Sequence, residues 1–215
     1  MHERSPRFLV VEGPIGVGKT SLARRIAKAF GTDLLLERAE ENPFLERFYR
    51  DPRHFALPTQ LYFLFQRARQ LAQLRQADLF APVRVADFLL EKDRVFAQLN
   101  LADDELGLYE QAYHALSLDA PLPDLVVYLQ APVEVLLRRV QKRALPAEQP
   151  ITREYLTRVS DAYMRFFHHY DRAPLLIVNA EAINPVESDA DFAQLMREVE
   201  RVRGGRHYFN PVSRS

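Results

Sequence analysis

Arg7 to Leu22 reads RFLVVEGPIGVGKTSL, and the fold is decided there. The apolar run Phe8-Leu9-Val10-Val11 stops at Gly13, and Gly13-Pro14-Ile15-Gly16-Val17-Gly18-Lys19-Thr20 satisfies G-x-x-x-x-G-K-[ST] in full before a helical pattern begins. Strand, glycine loop and helix in that order make a phosphate loop. Backbone N–H groups from Gly13 to Ser21 are expected to crowd around anionic oxygens, an approach that side chains would obstruct. Lys19 is expected to reach the β/γ-phosphates of a nucleotide and Thr20 its magnesium ion, while the helix opening at Lys19 adds its positive dipole end. A plain turn asks for less glycine: the chain has only seven, and three fall inside this loop.

The rest of the composition sets bounds. A chain of 215 residues suits one compact α/β domain with a substantial core, so residues 1–215 are expected to form a single unit. With 29 basic and 29 acidic residues the formal charge is zero, so no overall field would draw nucleic acid or an anionic membrane. No apolar run approaches the roughly 18 residues that span a bilayer, and there is no cysteine for a disulfide framework or thiolate site. A cytoplasmic protein is expected, with no nucleic acid and no membrane among its partners.

Outward from the loop, strands and helices alternate. Leu22, Ile26, Ala29 and Phe30 recur at helical spacing until Gly31, a C-cap. Asp33-Leu34-Leu35-Leu36-Glu37 reads as a buried strand that delivers Glu37 to its carboxyl end, where ligands of open α/β sheets bind. Asn42-Pro43 opens a short helix stopped at Asp51-Pro52, and a long helix is expected from Phe55 to Leu79, with Gln60 and Arg67 seven apart on one face. Val83 to Ala86 is a strand ending at Asp87. Helices are expected over Leu89–Leu101, Asp103–Leu116, Pro132–Arg143, Thr152–Tyr170 and Asp189–Val202, and strands over Asp124–Leu129 and Leu175–Val178. The pattern predicts a five-stranded parallel sheet with helices on both faces. Its helical insertions are longer than crossovers need and are expected to hold a substrate pocket.

Phosphoryl transfer to an alcohol needs an acid to hold the metal, a base near the acceptor hydroxyl, and cations over the moving phosphoryl group. Asp87 ends a strand as a Walker B acid does. Glu37 ends another and suits a proton acceptor. Arg138, Arg139, Lys142 and Arg143 close a helix before a proline-bounded loop, which predicts a lid over about residues 138–150. Each also has a plainer reading: a solvated turn for Glu37, a strand stop for Asp87, a solvated helix end for the arginines. Gln60, on an otherwise apolar helix, is harder to dismiss, because a buried amide needs partners and a base edge supplies them.

These residues carry a resemblance. From Phe8 to about Leu176, through GPIGVGKTSL, LLERAEENPFLERFYRDP, TQLYFLFQRARQL, ADFLLEKDRVFA, PDLVVYLQAP and LLRRVQKR, the chain resembles a bacterial member of the deoxynucleoside kinase family, the group with deoxycytidine, deoxyguanosine and deoxyadenosine kinases. The resemblance implies that Glu37 takes the proton of the 5′-hydroxyl, that Tyr49 and Glu148 hold the sugar 3′-hydroxyl, and that Gln60 pairs with the base. It further implies a charged pair, Arg67 and Asp93, around the exocyclic group, Asp87 as the metal-associated acid with Thr20, and Arg139 and Arg143 as lid arginines. Magnesium with ATP as donor, a deoxynucleoside acceptor and a homodimer are implied too. The charged pair goes with purine and cytosine kinases, with a lean to purines. One departure stands out: many relatives have acid-Arg-Ser where this chain has Asp87-Phe88-Leu89, which leaves Lys92 or Arg94 to stand in for the arginine.

Two other readings compete. A nucleoside monophosphate kinase resembling thymidylate kinase would need cations around an acceptor phosphate, whereas Glu37, Gln60 and Tyr49 suit a neutral nucleoside. A nucleotide-dependent switch or binding module would hydrolyse slowly with no acceptor dependence.

Overall fold

The structure is a computed structural model that describes residues 8–76, 84–116 and 121–211. Strand β1 (Phe8–Glu12) lies at the centre of a sheet in the order β2-β3-β1-β4-β5-β6, every neighbouring pair parallel. Leu9, Val10 and Val11 are all buried, so both faces of β1 are covered, as a wholly parallel sheet requires. Helix α1 (Lys19–Phe30) packs Leu22, Ala23, Ile26 and Ala27 into the core; Ala27 rather than the expected Ala29 completes that face, and Gly31 caps the helix in the left-handed conformation.

The sheet has six strands, β2 (Asp33–Leu35), β3 (Arg84–Ala86), β4 (Leu125–Gln130), β5 (Leu175–Asn179) and β6 (Arg206–Phe209) joining β1. This corrects the five predicted. The sixth is a short edge strand behind Gly204-Gly205 in which only Phe209 is buried and the first three residues are exposed, so it lacks the apolar run by which the other strands were read. What fixes it is tertiary: its ladder with β5, and the Arg206 guanidinium, which donates to the Phe167, His168 and Tyr170 carbonyls at the end of a helix.

Between β2 and β3 run α2 (Leu45–Arg50) and α3 (Pro52–Gln76). Helix α3 begins three residues before the expected Phe55, because Pro52 serves as its first residue, where no N–H is needed. The buried side chain of Asn42 ties the two together, accepting from Phe44 N at 3.0 Å and donating to the Thr59 carbonyl at 3.2 Å. The expected helix end at Leu79 and the expected strand residue Val83 lie outside the described residues. Helix α4 (Lys92–Asn100) starts later than the expected Leu89: the chain from Asp87 to Glu91 stays irregular, and within it the Leu89 N–H donates to Glu12 Oε2 at 2.8 Å. Then come α5 (Asp103–Ala115), α6 (Val133–Arg143), α7 (Arg153–His169), capped by Thr152 as expected, and α8 (Asp189–Arg201).

Candidate active site

The phosphate loop is held by packing as well as by its own hydrogen bonds. Gly13 and Gly16 have φ of 151° and 84°, and a Cβ on them would come within 2.5 Å of the Leu129 carbonyl oxygen and 2.8 Å of that of Leu136. Glycine is therefore required where the loop presses on β4 and α6, in addition to where phosphate approaches. Arg139 braces the same loop: its guanidinium donates to the Val17 carbonyl at 3.1 Å and the Ala180 carbonyl at 2.9 Å.

In front of the loop lies a cavity of about 620 Å³. Lys19, Thr20 and Ser21 line the end formed by the glycine loop, Glu37, Tyr49, Gln60 and Arg67 line the wall beyond it, and Asp87, Arg143 and Glu148 belong to the same lining. A second depression of about 520 Å³ on the outer side of β2 and α3, lined by Leu34, Tyr62 and Phe65, contains none of the predicted residues. Gly13, Pro14, Val17 and Arg139 stand behind the main cavity's wall. So does Asp93, whose Oδ1 accepts from Arg67 Nη1, leaving the arginine as the member of the pair that faces the cavity.

Glu37 is the centre of the wall beyond the loop. Its backbone N–H donates to Asp87 Oδ1 at 2.7 Å, which explains why β2 leaves the ladder at Leu35. Its carboxylate accepts from Arg67 Nη2 on Oε1 and from Lys92 Nζ on Oε2, the latter at 2.8 Å. Burial alone would push this carboxyl up, but the charges of Arg67 and Lys92 outweigh it and bring the pKa down to about 2. Arg67 loses by burial and gains more from Asp93 and Glu37, so its charge is kept. Lys19 donates to the Pro14 carbonyl at 3.3 Å, and desolvation followed by repulsion from Lys92 lowers its pKa.

Asp87 Oδ2 accepts from Thr20 Oγ1 at 2.5 Å. Burial raises the Asp87 pKa against these hydrogen bonds. One hydroxyl and one carboxylate are hard oxygen donors, and no cluster of three or more metal-binding side chains exists among the described residues. That set fits magnesium, which is bound by one or two protein oxygens together with the phosphates it accompanies rather than by a full protein cage.

At the end of α6 and in the segment after it, Arg143 and Glu148 are joined by a bidentate ion pair, Nε to Oε2 at 3.1 Å and Nη2 to Oε1 at 2.5 Å. Ala144 between them is left-handed, φ 52°, the turn that lets the chain fold back. Tyr49 is set by ring contacts with Tyr155 and Phe48, and burial, then Tyr155 and Glu148, raise its pKa.

Three residues deserve a place that the sequence did not give them outright. Phe88, where arginine was expected, is buried in the protein interior. Of the two substitutes, Arg94 pairs with Glu110 at the surface, whereas Lys92 is the buried cation on Glu37. Glu12 was missed altogether: it is fully buried and accepts from Gly13 N, Leu89 N and the Tyr163 hydroxyl. The signal was available, because Glu12 ends an apolar strand just as Glu37 and Asp87 do.

The chain is 31% identical over 201 residues to the deoxyguanosine kinase of Bacillus subtilis (strain 168), covering 91% of this chain and 97% of that protein. It is 27% identical over 208 residues to the deoxyadenosine kinase of Lactobacillus acidophilus, covering 90% and 95%. Among solved structures, a deoxyadenosine kinase from M. mycoides with products dCMP and a flexible dCDP bound superposes with a TM-score of 0.78 at 26% identity, covering 89% of this chain and 98% of that one. The family profile described as Deoxynucleoside kinase matches residues 9–202, and the chain belongs to that family.

Proposed function

We propose that this deoxynucleoside kinase moves the γ-phosphoryl group of ATP to the 5′-hydroxyl of a deoxynucleoside, with Glu37 as the proton acceptor. The observation that carries this reading is the single cavity with the phosphate loop at one end, the amide of Gln60 at the other, and the Glu37 carboxylate between them. The 5′-oxygen forms its bond to the γ-phosphorus as the bond from that phosphorus to the bridging oxygen breaks. The electron pair leaves with ADP, and the hydroxyl proton passes to Glu37.

Lys19 and the loop N–H groups hold the phosphates, and Arg143 joins them as the segment about 138–150 closes as a lid, while Arg139 keeps the loop in shape. Thr20 and Asp87 hold magnesium, which supplies charge neutralisation on the β- and γ-phosphates. Tyr49 and Glu148 hold the 3′-hydroxyl, and Gln60 pairs with the base. Arg67, backed by Asp93, offers donors to a purine carbonyl and crowds a thymine methyl, so a purine deoxynucleoside is favoured and deoxycytidine is accepted. The deoxyguanosine and deoxyadenosine specificities in the relatives' names support that choice. Phe65 on α3 and Leu108 on α5 are exposed apolar groups that suit a homodimer. No helix among the described residues is long and apolar enough to cross a membrane, and we assign the enzyme to the cytoplasm.

A monophosphate kinase fits less well. Its acceptor phosphate would need cations beside it, yet the two buried ones there, Arg67 and Lys92, are both engaged by Glu37. The deciding experiment is product formation from ATP with each deoxynucleoside and each deoxynucleoside monophosphate in turn. Monophosphates formed from deoxynucleosides are expected; diphosphates formed only from monophosphates, or ATP hydrolysis indifferent to any acceptor, would overturn the reading.

A further inference from the structure

Strand β1 ends on a carboxylate that has no part in the transfer described above. Glu12 gathers groups from three separate places in the fold: Gly13 N–H at 3.0 Å where the phosphate loop begins, the Tyr163 hydroxyl of α7 at 3.0 Å, and, around the start of α4, Leu89 N–H at 2.8 Å and Lys92 Nζ at 3.7 Å. A carboxylate so buried requires a nearby cation and filled acceptor sites, and these groups provide both. Lys92 is equally buried and has anions on two sides, Glu12 on one and Glu37 on the other. The order Glu12, Lys92, Glu37 is a run of alternating charge that leads from the root of the phosphate loop to the group facing the acceptor.

A core ion pair would need only two members. Here the middle member lines the cavity and is paired with both glutamates. Glu12 also holds the backbone on which Lys92 is mounted, because its Oε2 fixes Leu89 in the turn before α4. It therefore sets both where the ammonium starts and what holds it in place.

We infer that Glu12 is a positioning residue for phosphoryl transfer: acting through Lys92, it fixes the Glu37 carboxylate relative to the phosphate loop. This rests on the assignment of Glu37 as proton acceptor. Glu12 itself touches neither substrate, so its removal is felt in the chemical step and not in binding.

The test is a double-mutant cycle on the full chain, with kcat and KM measured for ATP and for the preferred deoxynucleoside. Glu12→Gln is expected to lower kcat about 30-fold with both KM values within about threefold of wild type, and Lys92→Met to lower kcat about 10²-fold. In the Lys92→Met background, Glu12→Gln should change kcat by less than about twofold, because residues acting through one another are not additive. Full additivity, or a Glu12→Gln enzyme within about twofold of wild type, overturns the inference. The amide introduced at position 12 can oppose the Leu89 N–H. Where it lowers the yield of folded protein, Tyr163→Phe removes one bond to Glu12 and keeps the carboxylate. A loss in kcat of about threefold is then expected in the wild-type background and none with Lys92→Met; equal losses in both backgrounds overturn the inference. Glu37→Gln separates the two claims: unchanged kcat there refutes the proton acceptor, whereas a large fall there with none for Glu12→Gln refutes only the positioning role.

Discussion

On the roles proposed above, the donor end of the cavity is lined from one short stretch, Ile15 to Ser21, and would work mainly through backbone N–H groups. The acceptor end takes Glu37 from after β2, Tyr49 from α2, Gln60 and Arg67 from α3, Lys92 from α4 and Glu148 from the segment after α6, and would work through side chains. The first needs glycines and little else. The second needs several buried charges that satisfy one another, so removing one member strands its partner. A site made of backbone is short in sequence and set by local geometry, and a site made of charges is spread over the chain and set by the whole fold.

Lys19→Ala attacks the donor end at its one indispensable side chain. We expect kcat/KM to fall by at least about 10³-fold in a coupled ADP-release assay, since the transition-state charge loses its cation. Activity within a few fold of wild type would show that phosphate is not bound there. Phe88→Arg tests the position where relatives carry arginine by placing a guanidinium at a buried site, and a loss of about 3 kcal/mol in urea unfolding is expected. A variant as stable as wild type and more active would show that position 88 still has room for the arginine of relatives. Glu37→Gln keeps a hydrogen-bond acceptor and removes the base, so kcat should drop about 10²-fold with KM nearly unchanged. A fall in kcat/KM caused by KM alone would make Glu37 a binding group only.

The smallest effect concerns base choice. Arg67→Met with Asp93→Ala should raise the ratio of thymidine to deoxyguanosine kcat/KM about tenfold, because buried polar groups left unpaired by the wrong base are removed. Since Arg67 also holds Glu37, kcat should fall for every nucleoside in that variant. A changed kcat with an unchanged ratio would mean that the pair serves the base catalyst and does not read the nucleobase.

This contrast also explains what was legible in the sequence. The phosphate loop, Asp87 at the end of β3, and Glu37 at the end of β2 are local patterns, and the structure brings Thr20, Asp87 and Glu37 together as those patterns implied. Gln60 and Arg67 were placed on one face by helical spacing, and both line the cavity. Lys92 as a cation on Glu37, rather than Arg94 two residues on, could not be chosen without knowing where α4 begins and how the turn before it is tied to Glu12, a contact far off in the sequence. Glu12 was hidden by its neighbour, because the glycine motif accounts for the stretch without it. Strand β6 had no apolar run to announce it, and its place depends on a neighbour in the sheet and on carbonyls at the end of α7.

The bidentate pair between Arg143 and Glu148 has a thermodynamic consequence. On the roles proposed above, the nucleotide claims Arg143 and the sugar claims Glu148, so each ligand must take its contact from the other residue. Whichever binds first breaks the pair and leaves the second ligand's partner already released. The two substrates are then linked through one shared bond, each raising affinity for the other, and reciprocity requires the factor to be the same in both directions. Arg143 is nearly half exposed, so solvent limits the coupling to about 1 kcal/mol at most, roughly a fivefold gain in affinity. Synergy of that size shifts the site from half-filled toward filled, so ATP is held less firmly when no acceptor is bound.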